Sequence, residues 1–404
     1  MASIRGLARR GWQVAAAMLA VGVASVFAAW ASAPDLRFNP ASFEETPLVQ
    51  RVVPLEEAVT LAQFRASDDR IRTLLVLARE GERVTGIDLA ELGARDEEDP
   101  LVALAGIDRD RLSSEGLLSL PRITLQIGDL LPAAPRGAQH IGTGTNFPEH
   151  ALEANSGTVF QFPKFGTATP ARTTVRAQPG MLLDYEVEIC LRFDRPVRSL
   201  ADFDAAMKAF FLCGDFTNRN ALINLADPDN LDSGRGFSDA KSGPDFFPTG
   251  PFIVVPRDWR TFVANIRMTT SVNGEPRQDA RGREMTLDFR ALAGKALDDM
   301  SMPRFLYAGR YTRLMPDVAI PQDATLMSGT SEGTIFTPPT RADIIEAGMA
   351  YVLQGGPLSR RSALDTARQT FIANELAGRH YLQPGDIVRH ASNDLGDIAI
   401  EVID

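Results

Sequence analysis

The sequence predicts a mixed α+β fold in which strands dominate, and three observations carry that prediction. Glycine and proline number 32 and 26 among 404 residues, as a chain of many turns and short strands requires. Short apolar runs such as Thr73–Ala78 and Arg122–Ile127 alternate with helix-like segments such as Leu55–Phe64. The stretch Met181–Cys190 reads MLLDYEVEIC, and the alternation of a strand places Asp184, Glu186 and Glu188 on one face and Tyr185, Val187 and Ile189 on the other. Like charges that close repel unless water or a cation screens them. An isolated D-x-E-x-E pattern also suits a solvated strand face, so the rest of the chain must decide between the two.

Composition narrows the function. Hydrophobic residues make up 44% and charged residues 23%, the balance of a globular protein. A net charge of −10 argues against nucleic acid as a partner, since a phosphate binder needs a basic stripe. Cys190 and Cys213 have apolar neighbours and neither a C-x-x-C nor a His-paired spacing, so they read as buried small hydrophobes.

Taken in order, the chain begins with Arg5, Arg9 and Arg10 and then runs without charge from Val14 to Ala31, the pattern of a signal peptide or membrane anchor over residues 1–33. Positive charge before the apolar run predicts an N-in orientation with the body exported. Ala31-Ser32-Ala33 resembles a cleavage site, but Pro34 directly after it disfavours cutting, which leaves cleaved signal and retained anchor both open. A buried helix or a misassigned start, which would leave the protein cytoplasmic, are the other readings. Residues 36–135 read as a small N-terminal α+β domain without nucleophile, phosphate loop or metal cluster. Leu130–Pro135, with two prolines, reads as a linker to a second domain over 136–404.

In that second domain Pro148 opens a short helix on which His150 and Glu153, three apart, share a face; a carboxylate there orients an imidazole as a general base requires. A surface ion pair has the same spacing. An apolar strand from Phe211 ends at Asp215, placed to complete an oxygen-only cation site with Glu186 and Glu188. Phe237–Pro251 reads as a turn-rich loop carrying Lys241. Between 336 and 380, Thr340 and Asp343 form a capping-box pattern before one helix, and Ala363–Leu376 reads as a second helix ended by Gly378. This helical insertion fits a packing role, an interface or a membrane surface.

The order of these motifs resembles the catalytic domain of the fumarylacetoacetate hydrolase family. Its blocks are matched by Asn146–Glu153, Phe162-Pro163-Lys164, Asp184–Glu188, Gly214–Arg219, Lys241 through Pro251, Asn273–Gln278 and Ser328–Gly333, with closing strands from Leu382 to Val402. Phe147, Gly214 and Gly243-Pro244 depart from the usual residues. The resemblance implies a mostly β, roll-like catalytic domain, usually dimeric. It implies metal ligands Glu186, Glu188 and Asp215, catalytic His150, Glu153 and Lys241, and substrate contacts Lys164, Arg219 and Thr330, with a structural role as the alternative for Arg219. Oxygen-only ligation favours Mg²⁺, then Mn²⁺ or Ca²⁺.

The expected reaction is metal-dependent C–C bond hydrolysis of a β-dicarbonyl acid such as an acylpyruvate or fumarylpyruvate, as in aromatic-compound catabolism. Decarboxylation, isomerisation or hydration of a related 2-oxo acid is the alternative within the class, and a non-catalytic membrane-tethered binding protein is the alternative outside it. Expected partners are a small oxo acid, a second copy of the chain and, through the N-terminal segment, a membrane.

Overall fold

Two adjacent strands buried on both faces, Val187–Phe193 and Lys208–Gly214, lie inside the largest sheet and explain its position. The sequences VEICLRF and KAFFLCG are near-continuous apolar runs, as strands covered on both sides require. Their antiparallel register sets Ile189, Leu191 and Phe193 with Leu212, Phe210 and Lys208 on one face, and Glu188, Cys190 and Arg192 with Cys213, Phe211 and Ala209 on the other. The first face packs rings: Phe210 meets Trp259, Phe262 and Phe289, and Phe193 meets Phe203. The second joins Leu61, Leu75, Leu92, Leu101 and Phe247 in one core.

The computed structural model describes residues 2–33, 38–95, 97–112, 114–154, 156–227, 229–358 and 360–404. The chain forms two compact units, Phe38–Phe336 with Tyr381–Asp404, and Met1–Arg37 with Thr337–His380. In the first, a ten-stranded sheet runs in the order Ile123–Gln126, Arg83–Asp88, Ile71–Glu80, Ala58–Arg65, Ile253–Pro256, Lys208–Gly214, Val187–Phe193, Leu326–Met327, Gln139–Gly144, Phe160–Phe165. A five-stranded sheet contains Glu275–Arg281, Arg267–Val272, Ile387–Ser392, Gly396–Ile403 and Arg172–Arg176. The expected strand-centred α+β architecture, with the two closing strands near the C-terminus, is what the chain adopts.

Three local expectations differ. Leu55–Phe64 contributes a strand, Ala58–Arg65, instead of a helix, because its apolar residues are buried on both faces against neighbouring strands. That strand pairs with Ile253–Pro256, so the four strands between Ala58 and Gln126 continue the same sheet and the expected division at 135 is not a boundary between units. Leu130–Pro135 is not a solvated linker: Leu130, Ala133 and Ala134 are buried, and the Ala133 carbonyl accepts a 3.0 Å hydrogen bond from Arg192.

The other unit holds the helices Ala2–Ala31, Arg341–Leu353 and Ala363–Gly378. The Asp343 N–H donates to Thr340 Oγ1, and the Thr340 N–H donates to Asp343 Oδ2 at 2.7 Å, which makes the expected capping box. The last helix includes Gly378, and the left-handed residue that ends it is Arg379, at φ 54°.

Two of the four histidines belong to the core. His140 accepts from the Thr325 N–H at Nδ1 (3.2 Å) and contacts the Gly166 carbonyl through Nε2 (3.1 Å), which satisfies a neutral ring. Burial pulls its pKa down to about 4, and the nearby Lys164 charge acts in the same direction. The unfolded chain therefore takes up this proton first, near pH 6.5, and folding stability falls as pH drops from there towards 4. Between pH 7 and pH 5 this group should cost the protein about 2 kcal/mol. Urea midpoints at the two pH values for wild type and His140→Gln check this; an equal pH shift in both would show that His140 does not titrate as described.

Candidate functional site

The site grows from the ends of the two central strands. Cys213 lies opposite Glu188 and Gly214 opposite Val187, so Glu186 and Asp215 fall just past the paired segment and are joined there by the Asp215 N–H donating to the Glu186 carbonyl at 2.9 Å. Glu186, Glu188 and Asp215 are buried, and ligand oxygens from the three lie within 4.8 Å of one another. Among the described residues these three form the one cluster of this kind.

Asp184 does not join them. The chain leaves regular extension between Leu183–Asp184 and Val187–Phe193. The Asp184 carboxylate is used up by the N–H groups of Tyr185, Ile335 and Phe336 and by Arg219 Nε at 2.8 Å. The expected three-carboxylate face is thus a pair plus an anchor, with Asp215 arriving from the neighbouring strand.

Three buried cations answer the acids. Arg219 bridges Asp184 to Glu186 Oε1 (2.9 Å). Lys241 donates to Glu186 Oε2 at 2.7 Å and Thr217 Oγ1 at 2.9 Å, and stands 2.9 Å from Asp215 Oδ2 without hydrogen-bonding alignment to it. It ends the helix Phe237–Lys241, where a loop was expected. Lys164, wholly buried, gives its protons to Asp215 Oδ1 (2.6 Å), the Phe246 carbonyl (3.2 Å) and the Lys241 carbonyl.

Four carboxylates therefore face three cations inside the protein. Burial raises the Glu186 pKa, but Lys241, Arg219 and His150 outweigh it and hold the group below the ordinary range. Glu188 goes the other way: burial first, then Asp215 and Glu186, push it well above the ordinary range, against Lys241 and the Gly329 N–H. Burial lowers Lys164 despite Asp215, while Asp215 and Glu186 raise Lys241 despite its burial. Glu188 Oε1 and Asp215 Oδ2 are buried with no hydrogen-bond donor. Glu188 Oε1 has no partner and Asp215 Oδ2 only the ion pair with Lys241, and two such oxygens beside a surplus negative charge fit a divalent cation, the all-oxygen donor set a hard one.

The expected His–Glu pair is formed. Helix Pro148–Glu153 opens with Pro148, and His150 Nδ1 lies 2.9 Å from Glu153 Oε2. Nδ1–H donated to the carboxylate leaves Nε2 as the proton acceptor. The segment Ser328–Gly333 ties both halves together: the Gly329 N–H donates to Glu188 Oε2 (2.8 Å) and the Gly333 N–H to Glu153 Oε1 (2.9 Å). Gly333 has φ 94°, and a Cβ there would come 2.0 Å from the Arg277 carbonyl, so only glycine fits. Thr330 Oγ1 donates to the Val187 carbonyl and accepts from Gln278 Nε2, both at 2.9 Å.

Sequence reasoning left Gln278 without a role. Its Oε1 accepts from the Val187 N–H at 3.2 Å and from Thr270, so it holds the start of the strand Val187–Phe193 as well as Thr330. Gly214 also has a reason: a Cβ would meet Pro248 Cγ at 2.9 Å and His390 Nε2 at 3.1 Å.

The cysteines are a correction. Cys190 and Cys213 form a disulfide across the two central strands, with Cα atoms 6.0 Å apart and on the face that carries Glu188. Local composition could not show this, because only the register brings residues 23 apart in sequence together.

The family profile described as fumarylacetoacetate (FAA) hydrolase, C-terminal, matches residues 139–403, and the chain belongs to that family. Among solved structures it is similar to fumarylacetoacetate hydrolase from psychrophilic Exiguobacterium antarcticum, at 18% identity and TM-score 0.50, over 85% of this chain and 99% of that one. It is also similar to 2-hydroxyhepta-2,4-diene-1,7-dioate isomerase from Mycobacterium marinum, at 15% identity and TM-score 0.49, over 85% and 98%. At such identities the likeness concerns the fold. No curated protein sequence matches the chain.

The disulfide leads to a prediction. It joins the strand of Glu188 to the strand that delivers Asp215, so replacing both cysteines by Ala should weaken Mn²⁺ binding on the order of tenfold to a hundredfold, the range for groups that orient ligands. It should also lower stability by about 3 kcal/mol. Mn²⁺ titration of folded protein, verified by near-UV circular dichroism, checks this; unchanged affinity would show that the sheet alone holds the ligands.

Proposed function

We propose that the protein is a metal-dependent hydrolase that cleaves a C–C bond in a β-dicarbonyl acid of the acylpyruvate or fumarylpyruvate kind. The observation that carries the reading is the buried Glu186–Glu188–Asp215 cluster, with its orphaned oxygens, joined through one loop to the His150–Glu153 pair. A bound divalent cation, Mg²⁺ first and Mn²⁺ or Ca²⁺ as alternatives, supplies Lewis-acid stabilisation of the negative charge that develops on the leaving enolate. Glu186, Glu188 and Asp215 would hold it.

His150, oriented by Glu153, takes a proton from water as the water oxygen bonds to the acyl carbonyl carbon. The C–C bond then breaks with its electron pair leaving on the enolate fragment, which takes up a proton, and the products are a carboxylic acid and a 2-oxo acid. Lys241 and Lys164 are the proposed partners for substrate carboxylate or carbonyl oxygens, each giving up a bond to protein to do so. Thr330 Oγ1 donates to a substrate oxygen only after turning from Val187. Arg219, held by Asp184 and Glu186, fits the structural alternative as the residue that positions Glu186.

The apolar stretch Trp12–Ala31 is long enough to cross a membrane, and a protein disulfide is at home in an oxidising compartment, so we place the body outside the cytoplasm on a retained anchor.

The test is loss of acylpyruvate enol absorbance with Mg²⁺ or Mn²⁺, both products being identified. Glu186→Ala should abolish turnover together with metal binding. His150→Ala should leave metal affinity intact and lower kcat about 10²- to 10⁴-fold. Lys241→Ala should disturb metal binding as well as KM, because Lys241 pairs with Glu186 and stands beside Asp215. If oxaloacetate loses CO₂ while acylpyruvates persist, the decarboxylase reading replaces this one. Double-bond migration in a hydroxydienoate would indicate an isomerase, and metal binding without any turnover a binding protein.

A further inference from the structure

An α-helix of a soluble protein ordinarily turns its apolar side inward, but the helix Arg341–Leu353 buries only the small Ala342 and Ala347 with Asp343 and leaves its larger apolar side chains outside. Ile344, Gly348 and Val352 run along it four residues apart, with Met349 and Leu353 in the adjoining row, and all five are exposed. Val352 is 71% exposed and Leu353 87%, while Asp343, its capping carboxylate, is buried. The apolar surface continues past the helix end to Leu358, 94% exposed, and Arg360 and Arg361 follow after Ser359. An exposed row of this kind marks a contact surface.

The same compact unit says what covers it. Its first helix, Ala2–Ala31, contains the uncharged stretch Trp12–Ala31, none of which is buried in the protein. Twenty residues at 1.5 Å each span about 30 Å, the thickness of a bilayer's hydrocarbon core. Trp30 stands at its C-terminal end, where an indole meets the headgroup layer. Its Nε1–H donates to Glu346 Oε1 at 2.6 Å, and the other oxygen of Glu346 accepts from Asn374 on the third helix. One carboxylate thus ties the end of the apolar helix to both helices of the insertion.

We propose that the insertion, residues 337–380, lies in the membrane interface beside a retained N-terminal anchor, with Ile344, Met349, Val352, Leu353 and Leu358 in contact with lipid. Arg360 and Arg361 favour anionic headgroups at that depth. The inference rests on the anchor reading given above and adds a second, lateral contact to it.

The test uses the full chain in nanodiscs of phosphatidylcholine alone and with phosphatidylglycerol. Both native cysteines are in the buried disulfide, so Leu353→Cys and Ile344→Cys accept an environment-sensitive fluorophore selectively, with Glu80→Cys, which is exposed on the other unit, as control. Carbonate extraction first reports on the anchor. Expected are carbonate-resistant protein, blue-shifted emission at positions 344 and 353, and stronger quenching there by shallow than by deep spin-labelled lipid, with none at position 80. A further shift with phosphatidylglycerol would identify the headgroup contact.

Carbonate-resistant protein whose labels at 344 and 353 stay open to iodide overturns the proposal while the anchor stands. Labels shielded at rising protein concentration without lipid quenching would make a second copy the occupant and overturn it too. Protein released by carbonate removes the anchor and the proposal together.

Discussion

Burying four carboxylates against three cations is the constraint around which the larger unit is organised. An unpaired charge away from water costs several kcal/mol, so each oxygen near the triad needs a donor, a proton or a cation. Arg219 and Lys241 take both oxygens of Glu186, Lys164 takes one of Asp215, and a backbone N–H takes one of Glu188. What is left is Glu188 Oε1 without any donor and Asp215 Oδ2 with only the Lys241 ammonium 2.9 Å away, and carboxylates outnumber cations by one. Lys164 and Lys241 are therefore parts of one electrostatic unit with Glu186 and Asp215, and a change in either is felt by the other.

Side chains here pin the main chain. Val187 is held at its N–H by Gln278 and at its carbonyl by Thr330, while Gly329 and Gly333 present N–H groups to Glu188 and Glu153. The segment Ser328–Gly333 links the Glu188 carboxylate to the His150–Glu153 pair. The disulfide, on the face that carries Glu188, ties together the two strands from whose ends Glu186, Glu188 and Asp215 emerge. Each device constrains a main-chain position, which is the less adjustable way to align a site.

Much of the site was legible because its spacing is that of regular structure. Period two put Glu186 and Glu188 on one face, a strand end delivered Asp215, and a Pro-initiated turn of helix aligned His150 with Glu153. What remained hidden depended on register or on burial from a distance. The diversion of Asp184 to Ile335 and Phe336, the Cys190–Cys213 pairing and the use of Gln278 all need contacts across 23 residues or more of sequence. Leu55–Phe64 was misread because a short apolar run lacks a period that separates a fully buried strand from a helix. Leu130–Pro135 looked like a linker because small residues and prolines also suit a tight buried crossing beneath Arg192.

The helical insertion leaves the larger unit at Phe336 and returns at Tyr381. The Phe336 N–H is bonded to the Asp184 side chain, and the Leu382 N–H to the carbonyl of Leu183, the residue next to it. Departure and return are thus anchored on consecutive residues of one short strand. A chain with that geometry can gain or lose everything in between by a single excision, joined by a few residues, without repacking a sheet. The arrangement is that of a cassette, whose two ends meet on one short strand of the larger unit.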